Sequence, residues 1–191
     1  FAGIVMSDRN VDGMVEMMID ATHNCFKPLT QERLFDWHAA LFPMGRSGIF
    51  KITVADWRKD ISGQMQVVSG AVGREKVHFQ APDADLIGME MTRFLKWFNE
   101  ENKIDLVIKA AIAHLWFVTI HPFQDGNGRI TRALTDMLLA QSDKSTQRFY
   151  SMSAQIRIER KEYYEVLEKT QKGNLDITEW IKWFLGCLIN A

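Results

Sequence analysis

One stretch of the chain is apolar on nearly every side of the helix that it would form: DLVIKAAIAHLWFVTI, residues 105–120. An amphipathic surface helix would show a polar face, whereas here Lys109 and His114 merely interrupt an apolar surface. We therefore expect a helix buried in the middle of a domain, with other elements packed around it. Because a membrane helix needs about 20 largely apolar residues without such interruptions, we expect no membrane span.

Apolar residues at three- and four-residue spacing predict further helices along most of the chain. The predicted helices lie at residues 11–26, 30–41, 83–99, 128–140, 158–170 and 177–188. Thr30 is a candidate cap for the second of them, because its hydroxyl can accept a hydrogen bond from a free backbone N–H of the first turn. Pro43, Gly45, Ser47 and Gly48 predict a loop after that helix.

Residues 63–82 break the helical pattern. Two β-rich runs, QMQVV and KVHF, are separated by a segment that contains Gly70 and Gly73. Glycine supplies the backbone angles that a tight turn needs, so this pattern predicts a β-hairpin. A lone hairpin is only marginally stable in water, and we expect it to pack on the helical body. The predicted fold class is therefore all-α: a helical bundle around a buried central helix, with one β-hairpin.

The length of 191 residues predicts a single domain that covers residues 1–191. Within it we expect N-terminal helices in 1–50, the hairpin in 63–80, a core helix–loop–helix in 105–142 and C-terminal helices in 157–190. The chain lacks an initiator Met and stops just after an apolar run, so we expect a piece of a longer protein.

Charge and cysteine content narrow the expected partners and location. A net charge of -1 at pH 7 gives no overall basic field, so we expect no nucleic-acid partner for this domain. Two cysteines without CxxC spacing, and a start that lacks a signal-peptide pattern, predict a reducing, cytoplasmic location. The sequence does not decide the oligomeric state, and a homodimer stays open.

The chemically richest segment reads HPFQDGNGRITR and directly follows the buried helix. Pro122 disfavours helical geometry at the preceding residue, so the chain should turn as His121 leaves the core. Gly126, Asn127 and Gly128 allow a tight turn whose backbone N–H groups converge at the start of the next helix. Such a helix end binds anions, most often phosphate.

Four side chains of the same segment add the groups that phosphate chemistry uses. Arg129 and Arg132 lie three apart in the first turn of the next helix, where guanidinium groups suit phosphate oxygens. Asp125 offers one hard oxygen ligand, which is adequate for a Mg²⁺ ion that substrate phosphates also hold. His121, with an unperturbed pKa of about 6.5, can take a proton from an attacking hydroxyl. Together these residues predict phosphoryl or nucleotidyl transfer.

Each of these residues has an ordinary structural explanation when it is taken alone: a capping histidine, a turn former, a solvated pair of arginines. A zinc site is not predicted, because His121 and Asp125 would need further ligands and the sequence offers no convincing set. The ordered conjunction of these groups after a buried helix is what favours the chemical interpretation.

The segment resembles the signature of the Fic (filamentation induced by cAMP) family, HPFx[D/E]GNGRxxR, at every fixed position, with Gln124 at the variable one. The wider sequence, including TQERLFDWHAALFP and FYSMSAQIRIERKEYY, is similar to a bacterial subgroup with an additional N-terminal helical region. The resemblance implies the Fic fold, with the hairpin as its flap. It also implies transfer of AMP from ATP to a Ser, Thr or Tyr hydroxyl of a target protein, with self-modification as a variant.

By the same resemblance, His121 would be the general base and Asp125 would hold Mg²⁺ at the α- and β-phosphates of ATP. The residues implied for phosphate binding are Gly126, Asn127 and Gly128 as an anion hole, and Arg129 and Arg132 as the grip on the outer phosphates.

The resemblance assigns the hairpin to target binding, by strand addition to an extended target segment. The flap residues implied for this contact are Gln66, Val67, Val68 and Ser69. Tyr163 and Tyr164 are candidates for the border of the base pocket, and ordinary helix packing explains them equally well.

Many Fic proteins carry an inhibitory helix that reads [S/T]xxxE[G/N]. The only Glu followed by Gly or Asn in this chain is Glu101, and Trp97 stands four residues before it, so the motif is absent. In the subgroup an inhibitory helix would lie upstream in a longer chain. This form of the chain is therefore expected to be constitutively active or to be inhibited by another chain in trans. The winged-helix-like C-terminal extension of the subgroup is also missing from this sequence.

Other functions stay open at this point. Transfer of UMP, GMP or phosphocholine and removal of AMP would use the same site. A Doc-type kinase is disfavoured, because that branch replaces the GNG segment that this chain keeps. The alternative from another class is a non-catalytic, nucleotide-sensing interaction module. The intact His121 argues against it, because binding phosphate does not require a base.

Overall fold

The computed structural model describes residues 9–60, 63–69, 76–101, 103–145 and 149–191. These residues contain eight α-helices and two pairs of antiparallel strands. The helices are α1 (Arg9–His23), α2 (Gln31–Leu41), α3 (Ala84–Asn99), α4 (Leu106–Ile120), α5 (Asn127–Asp143), α6 (Met152–Ile158), α7 (Arg160–Lys172) and α8 (Thr178–Ile189). The strands are β1 (Arg46–Ser47), β2 (Phe50–Lys51), β3 (Gln66–Ser69) and β4 (Lys76–Gln80). This architecture confirms the predicted all-α class with a β-hairpin.

The predicted buried helix is α4, and it lies at the centre of the bundle. Asp105 caps it, because its carboxylate accepts a hydrogen bond from the backbone N–H of Val107 at 2.9 Å. Helices α3, α5 and α8 pack around α4. They cover its apolar surface, so α4 has no face that must be polar to meet solvent. Both interruptions of its apolar surface, Lys109 and His114, are buried. No helix among the described residues is long and apolar enough to span a bilayer.

The cap predicted at Thr30 is confirmed: its hydroxyl accepts from the backbone N–H of Arg33 at 3.2 Å. Helix α1 ends at His23, three residues before the predicted end. The guanidinium of Arg33 explains the early end, because it donates to the backbone carbonyls of Asn24 and Lys27. Those carbonyls are therefore satisfied without a further helical turn. The other predicted helices agree with the structure to within three residues at each end.

One pair of strands and one helix were not predicted. The loop predicted after α2 contains the short strands β1 and β2, joined by a turn in which Gly48 has a φ of 56°. Helix α6 has only seven residues, too few to show a helical period, and Ser151 caps it by accepting from the backbone N–H of Ala154 at 3.2 Å.

The predicted hairpin is confirmed as the antiparallel pair β3–β4. Val67 pairs with Phe79 and Val68 with Val77, with an irregularity in register between the two valines. The predicted turn residues Gly70 and Gly73 lie outside the described residues. Strand β4 rests on α7, where Nδ1 of His78 contacts a carboxylate oxygen of Glu168 at 2.5 Å. The hairpin is thus held on the helical body, as a marginally stable element requires.

A chain of buried hydrogen bonds joins α4, α5 and α7. The hydroxyl of Thr135 donates to the carbonyl of Thr131 at 2.9 Å, so Nδ1 of His114 must be the donor to that hydroxyl, at 3.0 Å. In the neutral imidazole, Nε2 is then the acceptor for the hydroxyl of Tyr163 at 3.1 Å. The hydroxyl of Thr131 continues the chain by donating to the carbonyl of Asn127 at 2.7 Å.

Burial lowers the pKa of His114 to about 3, which makes the stability of the fold dependent on pH. Below pH 6.5 the unfolded chain gains a proton at this residue and the folded chain does not. The free energy of unfolding therefore decreases as the pH is lowered. Between pH 7 and pH 5 this one group should cost about 2 kcal/mol of unfolding free energy. We expect His114→Gln to reduce the pH dependence of urea unfolding by about that amount.

His23, which is exposed at the end of α1, provides the control. His23→Gln should keep the pH dependence of the original chain, because this side chain is exposed to solvent and not buried like that of His114. An unchanged pH dependence in His114→Gln would show that the imidazole already protonates in the folded state.

Candidate active site

The segment after α4 forms a closed loop that leads into α5. His121 ends α4 in the left-handed conformation, with φ 52° and ψ 57°, and Phe123 is fully buried beneath the loop. The side chain of Asn127 closes the loop: its oxygen accepts from the backbone N–H of Phe123 at 2.9 Å, and its nitrogen donates to the carbonyl of Phe123 at 2.7 Å. The turn predicted at His121 is therefore present, and the buried side chain of Asn127 holds it.

The imidazole of His121 is held in one tautomer. Its Nδ1 contacts the carbonyl of Val118 at 3.2 Å, and a carbonyl only accepts, so Nδ1 carries the proton. Nε2 has no hydrogen-bond partner within the described part of the chain. Burial chiefly lowers the pKa of His121, and the charge of Arg58 lowers it further, against the opposing effects of the Val118 carbonyl and Asp125. At neutral pH, His121 thus presents a free lone pair on Nε2.

The start of α5 offers backbone donors for an anion. Within the described residues, the backbone N–H groups of Asn127 and Gly128 have no acceptor, as is usual in a first helical turn. The N–H of Gly126, by contrast, donates to a carboxylate oxygen of Asp125 at 2.6 Å. Two of the three residues predicted for the anion hole therefore keep an available N–H, and the third orients Asp125.

The two arginines of the segment lie in different surroundings. Arg132 lines the same cleft as His121 and Gly128. Arg129 lies over the ring of Phe42, with 4.6 Å from the guanidinium carbon to the ring centre. Its Nη2 is 3.6 Å from a carboxylate oxygen of Asp125. Of the pair, Arg132 is thus the one that shares a cleft with the imidazole.

Asp125 is the acidic group that could hold a metal ion in this loop. Its Oδ2 accepts from the hydroxyl of Ser47 at 2.5 Å, and the side chain is 45% exposed. Among the described residues, no group of three or more His, Cys, Asp or Glu side chains could hold a metal ion. One exposed carboxylate fits Mg²⁺ that is shared with substrate phosphates, and does not fit an ion that the protein holds alone.

Residues distant in sequence brace the loop, and sequence reasoning missed them. Nε2 of His38 contacts the carbonyl of Asp125 at 3.1 Å, while its Nδ1 accepts from the backbone N–H of Ala55 at 3.2 Å. The backbone N–H of Thr53 donates to the side chain of Gln124 at 2.6 Å. Arg58 donates to the backbone of the same loop. The one sequence signal for this bracing was His38, a histidine on the apolar face of the predicted helix 30–41.

The cleft at His121 lies between the hairpin, the loop and α7, and has a volume of about 160 Å³. The side chains that line it come from several elements: Val67, His78, Phe79, Val118, His121, Arg132, Tyr163, Tyr164, Leu167, Glu168 and Gln171, together with Gly128. A larger groove of about 720 Å³ between the hairpin and α7 shares Val67, His78, Tyr164 and Glu168 with the cleft.

The two tyrosines proposed for a base pocket differ in exposure. Tyr163 is buried and donates to His114, whereas Tyr164 is 47% exposed and its ring lies 5.6 Å from the guanidinium of Arg160. Among the flap residues, Val67 lies in the cleft, Val68 is 47% exposed and Gln66 is exposed. Ser69 is described only by its strand pairing with Lys76.

Comparison with known proteins identifies relatives of this chain. A model of the Fic/DOC family matches residues 28–139, more than half of the chain. The protein adenylyltransferase Fic of Drosophila melanogaster is 34% identical over 103 residues, which are 53% of this chain and 19% of that protein. A probable protein adenylyltransferase of Aquifex aeolicus (strain VF5) is 29% identical over 101 residues, which are 53% of this chain and 29% of that protein. The chain thus spans less than a third of the length of these relatives.

Solved structures show the same fold. A Fic family protein from Desulfovibrio desulfuricans G20 has a TM-score of 0.72 at 25% identity, covering 98% of this chain and 54% of that chain. A Fic domain containing signaling protein from Bacteroides thetaiotaomicron VPI-5482 has a TM-score of 0.68 at 20% identity, covering 95% of this chain and 68% of that chain.

Gly126 is expected to tolerate a side chain less well than a glycine of similar backbone conformation elsewhere. Its φ is 87°, and a Cβ there would lie 2.9 Å from a ring carbon of Phe42. Gly45, with a φ of 65°, has no atom within 4 Å of an added Cβ. Both alanine variants should lose stability through backbone strain, about 1–2 kcal/mol, and Gly126→Ala should lose about 1–3 kcal/mol more through overpacking.

Urea unfolding of the two variants measures this difference. Equal losses of unfolding free energy would show that the ring of Phe42 does not confine the start of α5.

Proposed function

The chain belongs to the Fic/DOC family, and we propose that it is a protein adenylyltransferase, which transfers AMP from ATP to a hydroxyl group of a target protein. One observation carries this proposal: the neutral His121, with Nε2 unbonded, shares a cleft with Gly128 at the start of α5 and with Arg132. A base beside an anion-binding helix end is the arrangement that hydroxyl attack on a phosphate requires. The relatives named as protein adenylyltransferases support the choice of AMP.

In the proposed reaction, the backbone N–H groups of Asn127 and Gly128 and the guanidinium of Arg132 bind the phosphates of ATP. Asp125 would hold Mg²⁺, which neutralises phosphate charge when it is bound. Nε2 of His121 accepts the proton of the target hydroxyl as that oxygen forms a bond to the α-phosphorus. The bond from the α-phosphorus to the bridging oxygen breaks, and pyrophosphate leaves.

The hairpin would bring the target to His121. Strand β3 pairs with β4 on one edge only, and no described strand pairs with its other edge. An extended target segment could add to that edge through backbone hydrogen bonds, with Val67 between the target and the cleft. The groove beside Tyr164 would then receive the base of the nucleotide.

The location that we propose is cytoplasmic. Cys25 and Cys187 are both buried, free thiols, which agrees with a reducing compartment.

Labelled ATP tests the proposal directly. The protein is incubated with Mg²⁺ and cell lysate, once with ATP labelled at the α-phosphate and once with ATP labelled at the γ-phosphate. Kinases of the lysate use the γ-phosphate themselves, so the informative label is the label that appears only when the protein is added. We expect this added label from the α-phosphate only, and none with His121→Ala, which lacks the base. Intact-mass measurement should show any self-modification as a gain of one AMP.

The variant His121→Ala should still bind ATP in a calorimetric titration, because its side chain is not assigned to phosphate binding. Label from the γ-phosphate that depends on the added protein would identify a kinase instead. If adding the protein increased the label from neither ATP preparation, nucleotidyl transfer from ATP would be contradicted, and UTP and GTP labelled in the same way would identify another donor.

The pH dependence of transfer should report the base. Because burial lowers the pKa of His121, Nε2 should stay unprotonated at neutral pH and gain a proton only in more acid solution. We expect kcat/KM, which is measured at low ATP and reports the free protein, to fall on acidification, with a midpoint below the ordinary histidine pKa of about 6.5. Circular dichroism at each pH separates this loss from unfolding. A midpoint above 6.5 would contradict a buried neutral base.

A further inference from the structure

Arg58 is a buried cation in the core, and its side chain has no exposed surface. Burying a guanidinium is unfavourable unless its donors are paired. Nε donates to the backbone carbonyl of His121 at 2.8 Å, Nη1 to the carboxylate of Asp60 and Nη2 to the carbonyl of Pro82. The backbone N–H of Arg58 also donates to the carbonyl of Pro122 at 2.9 Å.

These partners belong to two different parts of the fold. Asp60 precedes β3 and Pro82 follows β4, so Arg58 joins the two ends of the hairpin. The second carboxylate oxygen of Asp60 accepts from the backbone N–H of Ala84, the first residue of α3, at 2.9 Å. The remaining partners are the two residues that follow α4. One guanidinium therefore connects the base of the hairpin to the backbone that carries the imidazole.

The backbone of His121 needs such support. A left-handed conformation costs a residue other than glycine about 1–2 kcal/mol, and it persists only where surrounding contacts hold it. Arg58 donates hydrogen bonds to the carbonyls of two consecutive residues, His121 and Pro122, at the start of the loop. The direction in which the imidazole leaves the backbone depends on these bonds.

We propose that Arg58 is a positioning residue: it holds His121 in the orientation that proton transfer requires and makes that orientation depend on the base of the hairpin. This inference rests on the proposed function, in which His121 is the base and β3 receives the target. The hydrogen bonds of Arg58 go to the protein backbone and to Asp60, so Arg58 itself does not bind ATP.

Arg33 provides a matched control. It is also a largely buried arginine, with a side chain 12% exposed, and its guanidinium also bonds a carboxylate and backbone carbonyls. Nε donates to the carboxylate of Asp20 at 2.7 Å, and Nη2 donates to the carbonyls of Asp20 and Asn24 at 3.0 and 3.2 Å. None of these partners lies in the hairpin or in the loop at His121.

The first test compares Arg58→Lys with Arg33→Lys. Lysine keeps the positive charge but cannot reproduce the planar fork of the guanidinium. We expect both variants to melt at lower temperature, but only Arg58→Lys to lower kcat, by about 10- to 100-fold, with little change in KM for ATP. Equal effects of the two variants on kcat, or an effect of Arg58→Lys on KM alone, would overturn the proposal.

The second test does not need turnover. The pKa of His121 is lowered by burial and by the charge of Arg58 and raised by Asp125, so removal of the Arg58 charge should raise it. NMR titration of the His121 imidazole should therefore show a higher pKa in Arg58→Met and no change in Arg33→Met. An unchanged titration in Arg58→Met would show that the guanidinium charge does not lie beside the imidazole and would overturn the proposal. A raised pKa together with an inactive parent protein would contradict the proposed transfer reaction and still support the contact between Arg58 and His121 on which the positioning role rests.

Discussion

The burial of α4 on all sides is the constraint on which the rest of the structure depends. A helix without a polar face must be covered by other elements, and α3, α5 and α8 provide that cover. The end of α4 is therefore the point where the chain must leave the core, and His121 stands there. Because α4 ends at the edge of the core, the imidazole of His121 is buried enough to stay neutral. Its Nε2 has no hydrogen-bond partner among the described residues.

The loop at His121 combines local and distant determinants. Asn127 closes the loop onto Phe123 within five residues, so the shape of the loop follows from its own sequence. Its placement depends on side chains from the segment between α2 and β3, above all Arg58, and on His38 from α2. The site is thus a loop that folds locally and is oriented by distant parts of the chain. The contacts of Arg58 also connect this loop to the base of the hairpin.

Much of the fold could be predicted because its signals are local. The cap at Thr30, the apolar surface of α4 and the β-rich runs of the hairpin each lie within a few residues, and the structure confirms them. The roles of Arg58 and Ser47 at the loop could not be predicted, because the loop residues that they bind, His121 and Asp125, lie more than sixty residues away in sequence. The early end of α1 was also missed, because the guanidinium that donates to the carbonyl of Asn24, just after the helix, comes from another helix, α2.

The closed loop at Asn127 also has a thermodynamic consequence for any anion that binds at the start of α5. Two hydrogen bonds between a buried side chain and the backbone already fix the loop, so binding would immobilise few additional dihedral angles. The entropic penalty of association then falls mainly on the ligand and on exposed side chains such as Tyr164, rather than on the loop. Electrostatic groups fixed in this way also need little reorganisation when charge develops near them.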